Sequence, residues 1–374
     1  MKIGLLGFGS MGRTHAWAVD NIKFYYKKPP FDVKIAGIYT RTLETAENAA
    51  EQFGFDFAAK SEDELIYNDD IDIIDICTPN ISHYETLIKA INAGKHIYCE
   101  KPLCVSAEQA REVAELAEKK GVVGKIVFNN RYLSALMRAK ELVDEGRLGR
   151  IVSFRCSYLH SSCTDLNKNA GWKQNRDICG GGVLFDLGSH AIDLVYFLCG
   201  AFKEVSGRSQ IAFSSRRGLN GEPWQTNADE AFYMNAELEC GAVGTIEASK
   251  ITVGANDDLT LEVYGTDGSI RFSLMDPNFL SFYDNRPENR ELGGEKGFTR
   301  IECVGRYPAP AGIFPGIKAP AGWLRGHLGS MYAFLDAVYR NDTASHPNLR
   351  DAYHVQRVME AGYESDRTRR PVLI

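Results

Sequence analysis

The sequence predicts an α/β protein of two domains. Residues 1–128 are expected to form a doubly wound parallel-sheet domain, and residues 129–374 an α+β domain with a large, mainly antiparallel open sheet. Three observations support this. Short apolar runs alternate with longer amphipathic ones in the first 128 residues, the pattern of βαβ units. A glycine-rich loop follows the first apolar run. After about residue 150 the runs lengthen and alternate with a period of two, as strands with two different faces do.

In order, the first domain offers strands at Lys2–Leu6, Val33–Tyr39, Ile71–Cys77, His96–Cys99 and Val123–Phe128. Helices are expected near Met11–Asp20, Leu43–Phe53, Ser82–Ala93 and Ala107–Lys119. The run Ile71-Asp72-Ile73-Ile74-Asp75-Ile76 is rich in β-branched residues, as a buried parallel strand should be. Asn21–Asp32, with Pro29-Pro30, reads as a local insertion. In the second domain the strands are Ile151–Leu159, Ala231–Leu238, Val243–Ser249, Leu259–Tyr264 and Ser269–Leu274. Thr266-Asp267-Gly268 is the turn that folds the last two together. Tyr307–Trp323 reads as a loop, and helices follow near Arg325–Arg340 and Leu349–Ser365, expected to pack back towards the first domain.

The chain has 374 residues, enough for two domains and a sizeable core. Its formal net charge of −6 argues against nucleic acid or an anionic membrane as a partner. The nine cysteines include no C-x-x-C pair, which argues against a zinc ribbon; no metal is expected and a reducing, cytoplasmic compartment fits best. The first residues are too short an apolar run for a signal peptide, and no apolar run is expected to approach the ~20 residues of a membrane span.

Gly7-Phe8-Gly9-Ser10-Met11-Gly12 fits G-x-G-x-x-G between a strand and a helix. Gly7 permits the tight turn, Gly9 lets a pyrophosphate approach the backbone, and Gly12 lets helix and strand pack closely. The helix N-terminus adds free N–H groups for the phosphates. The loop by itself predicts a dinucleotide-binding domain, with a plain strand-to-helix glycine turn as its alternative; with the segments below, the cofactor expected is NAD(P)(H). At the end of the second strand, Ile38-Tyr39-Thr40-Arg41-Thr42 lacks the acidic residue that would bind the ribose 2′-OH of NAD. Thr40 and Arg41 suit a 2′-phosphate instead, a lean towards NADP(H). Arg41 is equally compatible with stacking on adenine or with facing solvent.

Two further segments narrow the function. One runs from Thr78-Pro79-Asn80 through His83 to Glu100-Lys101-Pro102; the other from Gly180-Gly181-Gly182 to Asp186-Leu187-Gly188-Ser189-His190 and Asp193. With the glycine loop, Asn130-Arg131-Tyr132 and Gly265-Thr266-Asp267-Gly268, they resemble the Gfo/Idh/MocA family along nearly the whole chain. The resemblance implies an N-terminal Rossmann domain and an oxidoreductase acting on a sugar, inositol or sugar derivative. It places Lys101, Asp186 and His190 around the reacting hydroxyl and Thr78 and Pro79 near the nicotinamide. It also implies a homodimer or homotetramer paired through the open sheet.

The chemistry agrees. Oxidising a secondary alcohol requires a base for the hydroxyl proton while hydride leaves for the nicotinamide. Lys101 follows a strand whose end faces the cofactor crevice, and burial or a nearby oxidised nicotinamide ring would make its amine a better base. His190 is the alternative acid/base, and Asp186 would orient the hydroxyl or tune Lys101. Asp186, His190 and Asp193 share one face of a helix, with Leu184, Leu187, Ala191, Leu194 and Leu198 on another. The triple glycine predicts close backbone approach to a substrate or to the other domain. Ser10, Met11, Asn80, His83 and Glu100 complete the expected cofactor contacts, His83 with a local backbone or packing role as its alternative. Arg131, Tyr158, Trp172 and Lys173 are candidate substrate contacts, each with an ordinary packing role as its alternative; His15 reads as a local packing partner. Specificity is expected in Ser161–Cys179 and in the loop after Tyr307. A glycoside-cleaving enzyme working by transient oxidation and a non-catalytic sugar or dinucleotide sensor are the rival functions.

Overall fold

The computed structural model describes residues 1–167, 169–218, 221–304, 307–312, 320 and 322–374. Part of the Pro-rich loop singled out for specificity, residues 313–319 and 321, lies outside the described residues, as does residue 168 within Ser161–Cys179. Two compact units are formed, one mainly from Met1–Tyr132 and Trp323–Gln356, the other mainly from Leu133–Tyr307 and Arg357–Ile374.

The first unit contains β1 (Lys2–Leu6), α1 (Ser10–Tyr25), β2 (Lys34–Tyr39), α2 (Leu43–Phe53), β3 (Phe57–Ala58), α3 (Glu62–Ile66), β4 (Ile73–Ile76), α4 (Asn80–Asn92), β5 (His96–Cys99), α5 (Ala107–Lys120) and β6 (Gly124–Ile126). The strands form one parallel sheet in the order β3-β2-β1-β4-β5-β6. The order reverses direction between β1 and β4, which opens a ligand crevice beyond their carboxyl ends. Strand and helix centres follow the sequence pattern. β3 and α3 are too short, at two and five residues, to leave a periodic signal. α1 runs on to Tyr25, so the start of the expected insertion is helix. Ile22 and Tyr26 reach the core there, joining Ile3, Leu5, Ile38 and Ile73 of the sheet and Leu328, Met331 and Phe334 of the helix at Trp323–Arg340. Each such buried apolar side chain contributes about 1.5–3 kcal/mol.

The second unit begins with α6 (Ser134–Asp144) and β7 (Ile151–Leu159), followed by α7 (Arg176–Cys179) and α8 (Ser189–Cys199). Then come β8 (Phe202–Gln210), the ribbon β9 (Ser215–Arg217) and β10 (Pro223–Gln225), β11 (Ala231–Leu238), β12 (Val243–Ser249), β13 (Asp258–Gly265), β14 (Gly268–Ser273), β15 (Phe279–Asp284) and β16 (Phe298–Glu302). After them lie α9 (Trp323–Arg340), counted with the first unit, α10 (Leu349–Thr368) and β17 (Val372–Leu373). Nine strands form a sheet in the order β16-β15-β14-β13-β7-β12-β11-β8-β17, antiparallel except for β7 beside β12. β13 folds onto β14 as expected.

Phe154, Cys156 and Tyr158 of β7 are buried on the face that carries α8, while Ser153, Arg155 and Ser157 lie on the opposite face. Against that expectation, residues 176–199 are long and apolar enough to span a membrane, but 83% of their most apolar stretch is buried inside the fold, as in a core helix.

Candidate active site

At the carboxyl end of β1 the glycine loop has the predicted geometry. Gly7 has φ 91°, a conformation that side chains rarely adopt. A Cβ on Gly12 would lie 2.2 Å from the Gly7 carbonyl oxygen, so only glycine lets α1 pack there. A Cβ on Gly9 would meet nothing within 4 Å, leaving open space over the backbone. No side chain caps α1, so the N–H groups of its first turn, at Ser10 and Met11, are available to an anion. These features fit a dinucleotide pyrophosphate. At the end of β2, Thr40 donates its hydroxyl to the Thr42 carbonyl at 2.8 Å, and Arg41 is exposed.

Thr78 and Pro79 form the turn into α4, with Asn80 buried at the first helical position. His83 is fully buried, its Nε2 2.9 Å from the Thr78 carbonyl and its Nδ1 3.1 Å from the Pro102 carbonyl. Burial lowers its pKa. His83 therefore braces the two loops from behind, which corrects the expectation of a direct cofactor contact. Glu100 and Lys101 follow β5 as predicted. Glu100 is buried and accepts from His15 Nε2 at 3.2 Å, and its other oxygen accepts the Lys101 backbone N–H at 3.2 Å.

In the second unit the Asp186 segment is not a plain α-helix. Leu184–Gly188 forms a π-type turn that leads into α8, a wide turn often found at functional sites. Asp186 sits on that turn between two ammonium groups. Lys173 Nζ is 2.9 and 3.1 Å from its two oxygens, and Lys250 Nζ is 2.9 Å from Oδ2. Lys250 is buried; burial disfavours its charge, but Asp186 outweighs that and raises its pKa. His190 and Asp193 are also buried, so the polar stripe is internal rather than solvated. The His190 ring meets Tyr158 edge to face at 5.8 Å. Tyr158 donates to Asp257 Oδ1 at 2.5 Å, and His160 Nε2 lies 2.9 Å from the same oxygen. Burial would raise the Asp257 pKa, but the bonds from His160 and Tyr158 lower it. Trp172 is half-exposed beside Lys173.

The second unit thus brings Asp186, Lys173, Lys250, His190 and Tyr158 into two adjoining clusters, while Lys101 and the cofactor loops belong to the first unit. Two further expectations change. Arg131 is buried with its guanidinium 3.7 Å from Asp351, an interior pair rather than a pocket residue. The triple glycine does pack closely, but within its own unit. A Cβ on Gly181 would lie 2.6 Å from the Tyr363 hydroxyl, and one on Gly182 2.2 Å from the Asp229 carbonyl oxygen. Lys250, His160 and Asp257 carry no mark in the sequence, and His15, expected as a local packing partner, bonds two buried carboxylates. Asp75, a charge flanked by buried isoleucines, was the available signal for His15, because such a charge needs a partner. His15, Glu100 and His327 offer ligand-type atoms within 4.8 Å of one another, but His15 is already hydrogen-bonded through both nitrogens.

A doubly wound sheet with an open pyrophosphate cradle, joined to a mainly antiparallel second unit, defines a nicotinamide-dependent oxidoreductase. Residues 1–128 match the model of the oxidoreductase family NAD-binding Rossmann fold, and residues 140–374 that of the family's C-terminal alpha/beta domain. The chain belongs to the Gfo/Idh/MocA oxidoreductase family. It is 31% identical to levoglucosan dehydrogenase of Pseudarthrobacter phenanthrenivorans, covering 98% of this chain and 96% of the relative. It is 26% identical to glucose-6-phosphate 3-dehydrogenase of Bacillus subtilis, covering 100% and 98%. A solved structure of levoglucosan dehydrogenase with NADH and levoglucosan superposes with a TM-score of 0.94 at 29% identity, covering 100% of this chain and 99% of that one.

Proposed function

We propose that this enzyme transfers hydride between NAD(P) and a secondary alcohol or carbonyl of a sugar, inositol or sugar derivative. The observation that carries the proposal is Lys101, placed directly after β5 in the same sheet whose β1 ends in the pyrophosphate cradle. The bound nicotinamide supplies the hydride acceptor. Lys101 takes the hydroxyl proton, with His190 as a second acid/base group. Asp186, paired with Lys173 and Lys250, orients hydroxyls, and Trp172 offers a face for a sugar ring. Sugar dehydrogenases among the relatives support a hydroxylated substrate.

Thr40 and Arg41 favour NADP(H) binding at least as well as NAD(H). Residues 1–128 serve as the cofactor domain and 129–374 as the substrate and oligomerisation domain. Two subunits pair through the open sheet face, where Tyr233 and Val243 are exposed. Nine free cysteines suit a reducing, cytoplasmic compartment. The test is a panel of sugars, polyols and glycosides assayed with both cofactors. Lys101→Ala should abolish turnover and still bind NAD(P)H; undiminished turnover would refute the role of Lys101.

A further inference from the structure

Behind Lys101 the first unit holds a chain of buried polar groups. Asp75 lies in the middle of β4 between buried Ile74 and Ile76. On α1, His15 Nδ1 lies 2.9 and 3.1 Å from the two Asp75 oxygens, and its Nε2 lies 3.2 Å from Glu100 Oε1. Glu100 Oε2 in turn accepts the Lys101 backbone N–H. Two buried carboxylates are costly unless each is paired and hydrogen-bonded, and one imidazolium serves both.

We propose that His15 is a positioning residue for Lys101: by bonding Asp75 on one side and Glu100 on the other, it fixes the turn after β5 and keeps a carboxylate beside the Lys101 amine. This rests on the reading of Lys101 as the proton acceptor.

The groups that face Glu100 are consistent with it. They are His15 from α1, Cys77 just after β4, His83 from α4, Cys99 from β5, Lys101 from the turn, and His327 from α9, with Asp75 of β4 on the far side of His15. Burial would push Glu100 up, but the bond and charge of His15 and the charge of Lys101 hold it down to about 2. Burial would push His15 down, but Asp75 and Cys77 hold it well above the usual imidazole value. His327 is driven to about 3 by burial and stays neutral against this set.

The test is the pH profile of kcat for wild type, Glu100→Gln, His15→Asn and His15→Gln, with NAD(P)H binding measured for each. An asparagine amide replaces Nδ1 and loses the Glu100 bond; a glutamine amide replaces Nε2 and keeps it. Glu100→Gln removes a negative charge beside the amine, so the acid limb moves down by roughly one pH unit. His15→Asn moves it the same way, because Glu100 without its imidazolium takes up a proton, and kcat falls on the order of tenfold or more while NAD(P)H still binds. His15→Gln recovers part of that loss.

Wild-type kcat and an unmoved limb in both His15→Asn and Glu100→Gln, with Lys101→Ala inactive, would overturn the positioning role and leave the proton acceptor intact. An upward shift in either variant would also overturn it. Turnover in Lys101→Ala would instead remove the reading beneath the proposal. If His15→Asn does not fold, Glu100→Gln and His15→Gln decide by the same shift.

Discussion

At the residue scale, the candidate site is built from charges whose partners are distant in sequence. Lys101, Asp186 and His190 could be nominated from the sequence because they sit in short, recognisable segments. Lys250 could not, since nothing near the end of β12 marks it, and only the fold brings it to Asp186. Its side chain is 7% exposed against 48% for Lys173, so the two lysines should differ in energetic weight. Lys250→Met removes the buried partner of Asp186 and is expected to destabilise the protein by about 3 kcal/mol, as breaking a buried pair does. Lys173→Met should cost no more than about 1 kcal/mol. Denaturant unfolding of both variants checks this; equal losses would contradict it. His15 shows the same limit of sequence reading: its spacing after the glycine loop is ordinary, and its importance lies in two carboxylates brought from β4 and from the turn after β5.

At the element scale, strands and helices with clear periodicity were legible to within a few residues. β7, β11 and β12 fall where alternation placed them, and the glycine loop has its expected turn. α6, β8, β15 and β16 were not foreseen, and neither was local departure from regularity. The π-type turn at Leu184–Gly188 leaves no period of its own, so Asp186 was read as part of an α-helix. The triple glycine signalled close packing correctly but could not say against what; Asp229 and Tyr363 come from elements far along the chain.

The glycine loop itself separates two roles. Gly12→Ala would force Cβ to 2.2 Å from a carbonyl oxygen, so Tm should fall and cofactor binding should be lost. Gly9→Ala meets no protein atom within 4 Å. Its Tm should match wild type while NAD(P)H Kd rises by about tenfold, about 1.4 kcal/mol. Unchanged binding in Gly9→Ala would remove the cradle assignment.

At the scale of the whole molecule, the two-part α/β and α+β architecture was legible from the change of period near residue 150. The strand order of the second sheet was not, because register and neighbours in an open sheet are set by long-range pairing. The buried network also links stability to pH. Glu100 has its pKa lowered from 4.5 to about 2, so its contribution is present above about 4.5 and is lost as pH falls towards 2. His15 has its pKa raised from 6.5, so its contribution is present below 6.5 and is lost as pH rises through the elevated value. The Tm difference between wild type and Glu100→Gln should therefore shrink as pH falls from about 4.5 towards 2; a difference that grows would contradict the pairing.

The central claim is hydride transfer to a nicotinamide from a hydroxylated ring, with Lys101 taking the proton. The most direct measurement follows reduced nicotinamide during incubation of wild type and Lys101→Ala with sugars and cyclic polyols, using NAD and NADP in parallel. Net reduction is expected with at least one substrate in wild type and with none in Lys101→Ala, although both bind NAD(P)H. Equal reduction by Lys101→Ala, or a wild type that binds cofactor and reduces it with no member of the panel, would contradict it.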